Sequence, residues 1–280
     1  MAQIQWFPGH MAKAKREIAD KIKLIDIVVE LVDARAPYSS KNPLFNSVVN
    51  NKPRLIVMTK EDLADDKLTQ KWLDFYKSKG YYAMSVNLKQ FNEYKKIIQV
   101  CKEILKDKMA REAKKGLKPR AMRAMVLGIP NVGKSTFINA YAGRNCAKTG
   151  NKPGVTKGKQ WIKLSKTLEL LDTPGILWPK FEDQAIGLKL ALIGSINDNI
   201  LDVSDMAYEF VKILNNSYEN AIPNRFGVEK NDDPLKMLEG IAEVRGCKLK
   251  GNVLDLEKAS SILLEEFRSG KLGKITLDRL

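Results

Sequence analysis

The chain has 280 residues, 44% of them apolar and 29% charged, and its 48 Lys and Arg exceed its 33 Asp and Glu to give a net charge of +15. That apolar content supports one large folded unit or a medium one with an appendage, and the mixed charges exclude a wholly disordered chain. The cationic surplus predicts a polyanionic partner, nucleic acid or an anionic membrane. No apolar run approaches the roughly 18 residues of a membrane span, and the start MAQIQWFPGHMAKAKREI lacks a signal-like stretch, so a soluble cytoplasmic protein is expected.

Behind a basic segment carrying Lys13, Lys15, Arg16, Lys21 and Lys23, the run Ile27-Val28-Val29-Glu30-Leu31-Val32-Asp33 predicts a buried strand ending in a carboxylate. A loop with Pro37 and Pro43 follows. Strand patterns at 54–58 and 82–86 flank a helical stretch at 66–79, the alternation of a parallel sheet covered by helices. Residues 92–115 read as a basic helix that Gly116 and Pro119 end before a strand at 124–127. Beyond Pro174 and Pro179 strand patterns fade, and 183–192, 203–214, 234–244 and 256–268 carry apolar positions at helical spacing. The expected architecture is therefore α/β over residues 1–180 and a separate all-α domain over 181–280. Cys101, Cys146 and Cys247 are too few and too far apart for a disulfide framework or a zinc site, and are expected to be reduced and structural. His10 is the only histidine, which excludes chemistry needing two imidazoles.

Gly128-Ile129-Pro130-Asn131-Val132-Gly133-Lys134-Ser135 satisfies G-x-x-x-x-G-K-S between a strand and a helix beginning near Thr136. In a phosphate loop of this kind the backbone N–H groups of residues such as Val132, Gly133 and Thr136 face the phosphates, Lys134 reaches the β/γ oxygens, and the Ser135 hydroxyl ligates Mg²⁺. Downstream, Asp172-Thr173-Pro174-Gly175 follows a strand at 168–171. Asp172 is placed to hold Mg²⁺ through water and the Gly175 N–H to meet a γ-phosphate. Between them Pro153-Gly154-Val155-Thr156 offers the Thr156 hydroxyl to the same ion; taken singly, each of these two motifs reads equally as a plain turn.

Choosing guanine over adenine requires an acceptor for the N1–H and the N2 amino group, and one carboxylate supplies both oxygens. Thr59-Lys60-Glu61-Asp62 offers it, with Asp62 as the bidentate acceptor and the Lys60 stem over the base. A solvated charged turn is the alternative reading. This motif precedes the phosphate loop instead of following D-x-x-G, which is the order of circularly permuted GTPases.

With Trp6-Phe7-Pro8-Gly9-His10-Met11, Asp33-Ala34-Arg35-Ala36-Pro37 and the three nucleotide motifs, the chain resembles the YlqF/RbgA family of ribosome-assembly GTPases over nearly its whole length. The resemblance implies a circularly permuted P-loop G domain that binds GTP and GDP with Mg²⁺, a C-terminal helical RNA-binding module, and a role in late maturation of the bacterial large ribosomal subunit. Its partners would be the subunit precursor and its rRNA, with ribosomal proteins as further candidates, for a monomeric chain. Thr59 stands where the family usually has Asn, and Ser85-Val86-Asn87 loosely matches the short loop that touches the base.

Many GTPases place a water-orienting glutamine after D-x-x-G, but Ile176 stands there and cannot hydrogen-bond. His10 is then either the group that positions the water, as the resemblance also implies, or a residue that caps and packs near the N-terminus. Asn131 matches an asparagine that helps hold K⁺ in related GTPases. Basic stretches at 13–23, 102–123, 144–163 and 245–250 suit RNA phosphate contacts, and equally a solvated helix face at 102–123 or nucleotide counter-charge at 144–163. Trp6, Trp72, Trp161 and Trp178 read as packing or interface residues. Two other classes stay open: an ATP-using phosphotransferase with a chance Thr59-Lys60-Glu61-Asp62, and an RNA-binding scaffold whose G domain is idle.

Overall fold

The computed structural model describes residues 16, 18–49, 51–90, 92–118, 120–142, 161–165, 167–171, 173, 175–177, 183–196 and 202–280. His10, Thr156 and Asp172 lie outside the described residues, as do Trp6, Cys146 and Trp178. Six strands form one sheet: β1 (Ile27–Asp33), β2 (Arg54–Thr59), β3 (Tyr82–Val86), β4 (Met122–Leu127), β5 (Trp161–Ser165) and β6 (Leu168–Leu171), in the order β3-β2-β1-β4-β6-β5. All neighbouring pairs are parallel except β5 with β6. Every residue of β1 and β2 is buried, which is why both strands read as continuous apolar runs and not as alternating ones. The polar exception in mid-strand, Glu30 of β1, pairs with Arg54 of β2.

The helices are α1 (Leu44–Val49), α2 (Asp66–Ser78), α3 (Glu93–Lys114), α4 (Lys134–Ala142), α5 (Gln184–Leu192), α6 (Val203–Ser217), α7 (Ala221–Phe226), α8 (Pro234–Val244) and α9 (Leu256–Ser269). Strand periodicity sends Val32, Ile56 and Met58 into a cluster with Trp72, Leu73 and Tyr76 of α2. Their neighbours Leu31, Leu55 and Val57 enter the main core with Ile97 and Ile98 of α3, so both sheet faces are covered.

From α5 onward the described chain is helical apart from one bridge between Lys248 and Leu254. Asp202, Asp233 and Asp255 accept from the first free backbone N–H groups of α6, α8 and α9, and Pro234 sits in the first turn of α8, where its missing donor costs nothing. Each helix buries one apolar stripe, and Phe210 and Phe267 meet at 4.7 Å across α6 and α9. After Gly270, in left-handed conformation at the end of α9, the chain does not leave the surface but turns back across the carboxyl end of the sheet. Behind the loop 34–43 that follows β1 comes α1, a short helix that the sequence pattern does not predict, whose first N–H donates to the Asn42 side chain.

The basic stretch 102–123 suits RNA phosphate contacts and a solvated helix face alike. Part of it is structural: Lys108 and Arg120 pair with the buried Asp26 at 2.5 and 2.7 Å, and Arg123 pairs with Glu169 at 3.2 Å. Lys102, Lys106, Lys114, Lys115 and Lys118 remain exposed. Trp72 is core, whereas Trp161 is 37% exposed beneath the Arg123 guanidinium, 5.4 Å from its ring centre. Cys101 and Cys247 are buried free thiols, and burial pushes the Cys101 thiol up to about 12.

Candidate nucleotide site

Because β1, β2, β3, β4 and β6 all run parallel, their carboxyl ends share one edge of the sheet. The chain fills β1, β2 and β3 to one side and then places β4 on the other side of β1. That reversal creates the crevice in which open α/β sheets bind ligands. The loop after β4 is the G-x-x-x-x-G-K-S segment and the loop after β2 is Thr59-Lys60-Glu61-Asp62, so two motifs some seventy residues apart open into this crevice. They touch: the Thr59 hydroxyl lies 2.7 Å from the Val132 carbonyl oxygen and 3.1 Å from that of Val32.

The phosphate loop owes its path to its glycines. A Cβ at Gly128 would come within 2.8 Å of the Leu31 carbonyl oxygen and of the Val132 side chain, and Gly133 holds a φ of +97° that side chains disfavour. Asn131 also adopts a left-handed φ of 61°. Lys134, buried at the start of α4, directs its ammonium at the Gly128 and Ile129 carbonyls, 3.1 and 2.6 Å away. Ser135 is half-buried beside it and Thr136 is exposed, both in the first turn of α4. Gly175 presses on the same loop: a Cβ there would meet the Pro130 backbone at 2.8 Å and the Lys134 ammonium at 2.9 Å. Ile176 is buried, its N–H donating to Gly128 O and its carbonyl accepting from Asn42, so its side chain belongs to the core.

Lys60 stands in left-handed conformation, its ammonium 2.8 Å from Asp33 at the end of β1. Asp33 is also gripped by Arg35 through both carboxylate oxygens, at 2.9 and 2.8 Å. Burial alone would raise the Asp33 carboxyl, but the Arg35 and Lys60 cations outweigh it and hold the group well below the ordinary aspartate value. Burial pulls the Lys60 ammonium below its ordinary value, with Asp33 opposing. Asp62 points one oxygen at Lys89, 3.2 Å away. Its other oxygen is buried with no hydrogen-bond partner among the described residues. Asp62, Ser85 and Asn87 line a cavity of about 430 Å³ at the ends of β2 and β3. A buried acceptor without a donor is costly unless a ligand supplies one, and a purine N–H edge is such a donor.

Residues that no motif marked also belong to this site. The turn after α5 reaches the phosphate loop, where the Asn131 amide donates to Gly194 O at 2.7 Å and the Ser195 hydroxyl to Pro130 O at 2.9 Å. Arg35 extends from Asp33 to Ile193 O, while Arg268 of α9 donates to the Ala191 and Leu192 carbonyls. Arginines on carbonyl oxygens at the end of a helix complement its dipole. Among the described residues no group of three or more His, Cys, Asp or Glu side chains is placed to hold a metal ion, and no helix is long and apolar enough to cross a membrane.

A phosphate loop and the Thr59-Lys60-Glu61-Asp62 turn meeting at the switch point of a largely parallel sheet, with that turn first in the chain, fit a circularly permuted P-loop GTPase, and the comparisons with known proteins show that class. The family described as 50S ribosome-binding GTPase matches residues 123–234. The chain is 49% identical over 276 residues to ribosome biogenesis GTPase A of Bacillus cereus, covering 98% of this chain and 93% of that protein. Among solved structures it is similar to GNP-bound YlqF from T. maritima (TM-score 0.68, 29% identity, 95% of this chain and 98% of the other). It is equally similar to GDP-bound YlqF of the same source (TM-score 0.69, 28% identity, 94% and 99%). The chain belongs to the ribosome biogenesis GTPase A family, and is a guanine-nucleotide-binding, GTP-hydrolysing enzyme.

Proposed function

We propose that this GTPase is a switch in late assembly of the bacterial large ribosomal subunit, engaging the precursor and its rRNA with GTP bound and leaving after hydrolysis. The observation that carries the nucleotide half of this reading is the Thr59–Val132 contact, which sets the end of β2 against the phosphate loop and so brings the turn bearing the unpartnered Asp62 oxygen beside it. The ribosomal half rests on the relatives' names and on the exposed lysines of α3 and the residues after it. Residues 1–180 serve as the G domain and residues 181–280 as the helical RNA-binding domain, in a monomeric cytoplasmic protein, with ribosomal proteins as further contacts.

In the site, Val132, Gly133 and Thr136 offer backbone N–H groups to the phosphates, Lys134 exchanges its loop carbonyls for β/γ oxygens, and Gly175 meets the γ-phosphate. Ser85 contacts the base beside Asp62. Ser135 supplies a hard oxygen donor suited to Mg²⁺, joined by Thr156 and Asp172, and that ion neutralises charge on the phosphates when bound. The Asn131 amide nitrogen, committed to Gly194 O, fixes the orientation of a side chain whose oxygen is the K⁺ donor in this reading. With Ile176 turned into the core, His10 positions the attacking water.

Multiple-turnover hydrolysis measured with and without purified large subunits, for the parent, His10→Ala and Asp62→Ala, tests the reading. Expected are stimulation by the subunit, its loss in His10→Ala, and a GTP-over-ATP preference lost in Asp62→Ala. A rate indifferent to the subunit would favour an RNA-binding scaffold with an idle G domain, and equal use of ATP by the parent would favour a phosphotransferase.

A further inference from the structure

The base-reading turn is not self-supporting. Around Asp62 the chain makes a single short turn, Glu61–Leu63, before α2 begins, and such a turn has only two internal backbone bonds, Leu63 N–H to Lys60 O and Ala64 N–H to Glu61 O. The Leu63 carbonyl and the Asp65 N–H just beyond it are bonded by the last residues of the chain, over two hundred positions away. Ile275 N–H donates to Leu63 O at 3.1 Å, and Asp65 N–H donates to the Thr276 hydroxyl at 3.1 Å, which itself donates to Ala34 O at 3.3 Å. Lys274 holds Asp66 through both carboxylate oxygens at 2.7 and 2.9 Å, on the rim of the cavity that Asp62 lines. The Leu63 side chain lies against the backbone of Gly270, where a Cβ would approach its Cδ2 to 2.5 Å.

The strap is itself anchored at both ends. Tyr218, which caps the end of α6, accepts from Thr276 N–H at 2.9 Å, and Leu277 N–H donates to Arg35 O at 2.6 Å. Beyond them the Asp278 carboxylate takes the Ser39 N–H and hydroxyl at 2.8 and 2.7 Å and the Lys189 ammonium at 2.9 Å, while its carbonyl accepts from Trp72. Thr276 is fully buried and Asp278 nearly so. So dense a set of bonds between two segments fixes their relative position to within the tolerance of a hydrogen bond.

We infer that residues 274–278, with Gly270, are a positioning element for guanine recognition: they hold the turn that aims the Asp62 carboxylate at the purine edge. The inference rests on the reading of Asp62 as the base acceptor. Bidentate recognition fails with small rotations of the carboxylate, so loosening Leu63 and Asp65 weakens the bond to the N2 amino group before it alters the phosphate contacts. Because α9 runs straight into this strap, a displacement of α9 is transmitted to the base-reading turn, and by linkage the bound base steadies the strap in return.

The test compares affinities for GDP and inosine diphosphate, which lacks only the N2 amino group, in full-length parent, Thr276→Val, Thr276→Ser and Asp62→Ala. The parent is expected to prefer GDP by about tenfold or more, the worth of a charge-assisted hydrogen bond. In Thr276→Val the preference falls to about twofold, and Thr276→Ser, which keeps the hydroxyl, restores it. A role confined to stability lowers the melting temperature and both affinities alike, leaving the ratio unchanged, and that result overturns the inference. Should Thr276→Val not fold, Lys274→Met reads the same ratio at an exposed position, with about a twofold drop expected and none counting against. Asp62→Ala separates the two claims: if it keeps the parent ratio the base-reader assignment fails, whereas if it abolishes the ratio and Thr276→Val does not, only the strap fails.

Discussion

The Thr59 hydroxyl, 2.7 Å from the Val132 carbonyl oxygen, ties the end of β2 to the middle of the phosphate loop across the full width of β1. One hydroxyl proton is shared between that carbonyl and Val32 O. Thr59→Val keeps the shape and deletes the proton, leaving a buried carbonyl without its donor, and should cost about 1–2 kcal/mol of stability and roughly tenfold in GDP affinity. Thr59→Asn carries two donors and should hold GDP affinity within about threefold of the parent. Thermal melts and equilibrium titration with a fluorescent GDP decide; equal affinity in parent and Thr59→Val would mean that the two loops are set independently.

Gly175 is where a γ-phosphate would be sensed, and its space is already full. A methyl group there meets the Pro130 N and Cα atoms at 2.8 and 2.9 Å, and although the Lys134 ammonium can swing aside, a phosphate-loop backbone cannot. Gly175→Ala should therefore push residues 173–177 away from the loop and lower turnover about a hundredfold, as loss of one oriented donor to developing charge does. If the Gly175 N–H meets the γ-phosphate as proposed, affinity for a non-hydrolysable GTP analogue should fall more than affinity for GDP. Equal loss for both nucleotides would show that the methyl distorts the phosphate loop itself.

These two positions mark how far the sequence alone carries. β1, β2 and the phosphate loop were legible because a two-faced buried strand must be apolar throughout and a loop around phosphates must have glycine where a Cβ would strike Leu31. The order of the motifs along the chain predicts that Thr59-Lys60-Glu61-Asp62 meets the phosphate loop, and the Thr59–Val132 contact joins them. What stayed hidden runs through the backbone. Gly194 reaches the phosphate loop through its carbonyl oxygen, Ser195 through a hydroxyl donated to the Pro130 carbonyl, and the strap holds the turn at Glu61–Leu63 largely by bonds to or from backbone groups, so none of them leaves a residue pattern to find. Asp33-Ala34-Arg35 was recognisable as a motif without a mechanism; its mechanism is a buried Arg35 that joins a strand end to the carbonyls of Ile193 and Arg268. α1, at six residues, is less than two turns long, too short for helical periodicity to mark it.

At the opposite end of the sheet, Asp26 offers a test that is independent of nucleotide. Its carboxylate, buried just before β1, accepts from Arg120 at 2.7 and 2.8 Å, from Lys108 at 2.5 Å and from the Arg123 N–H at 2.9 Å, and so pins the end of α3 and the start of β4 to β1. Burial raises its pKa, but the hydrogen bonds from Arg120, Lys108 and Arg123 prevail, and the group is held well below its ordinary value of 3.8. A folded-state pKa lying below the unfolded one means that the stabilisation is fully present above about pH 5 and is lost as pH falls through the acid range from about 4 downward, because the unfolded chain takes up the proton first. Asp26→Asn should thus lower stability at pH 7 by about 2 kcal/mol, less than a fully buried pair because Lys108 and Arg120 are partly in water. Urea denaturation of parent and variant at pH 7, 5 and 3 should show a gap that is constant between the first two and narrows at the third. A gap that stays constant to pH 3 would place the loss in packing and not in the charge of Asp26.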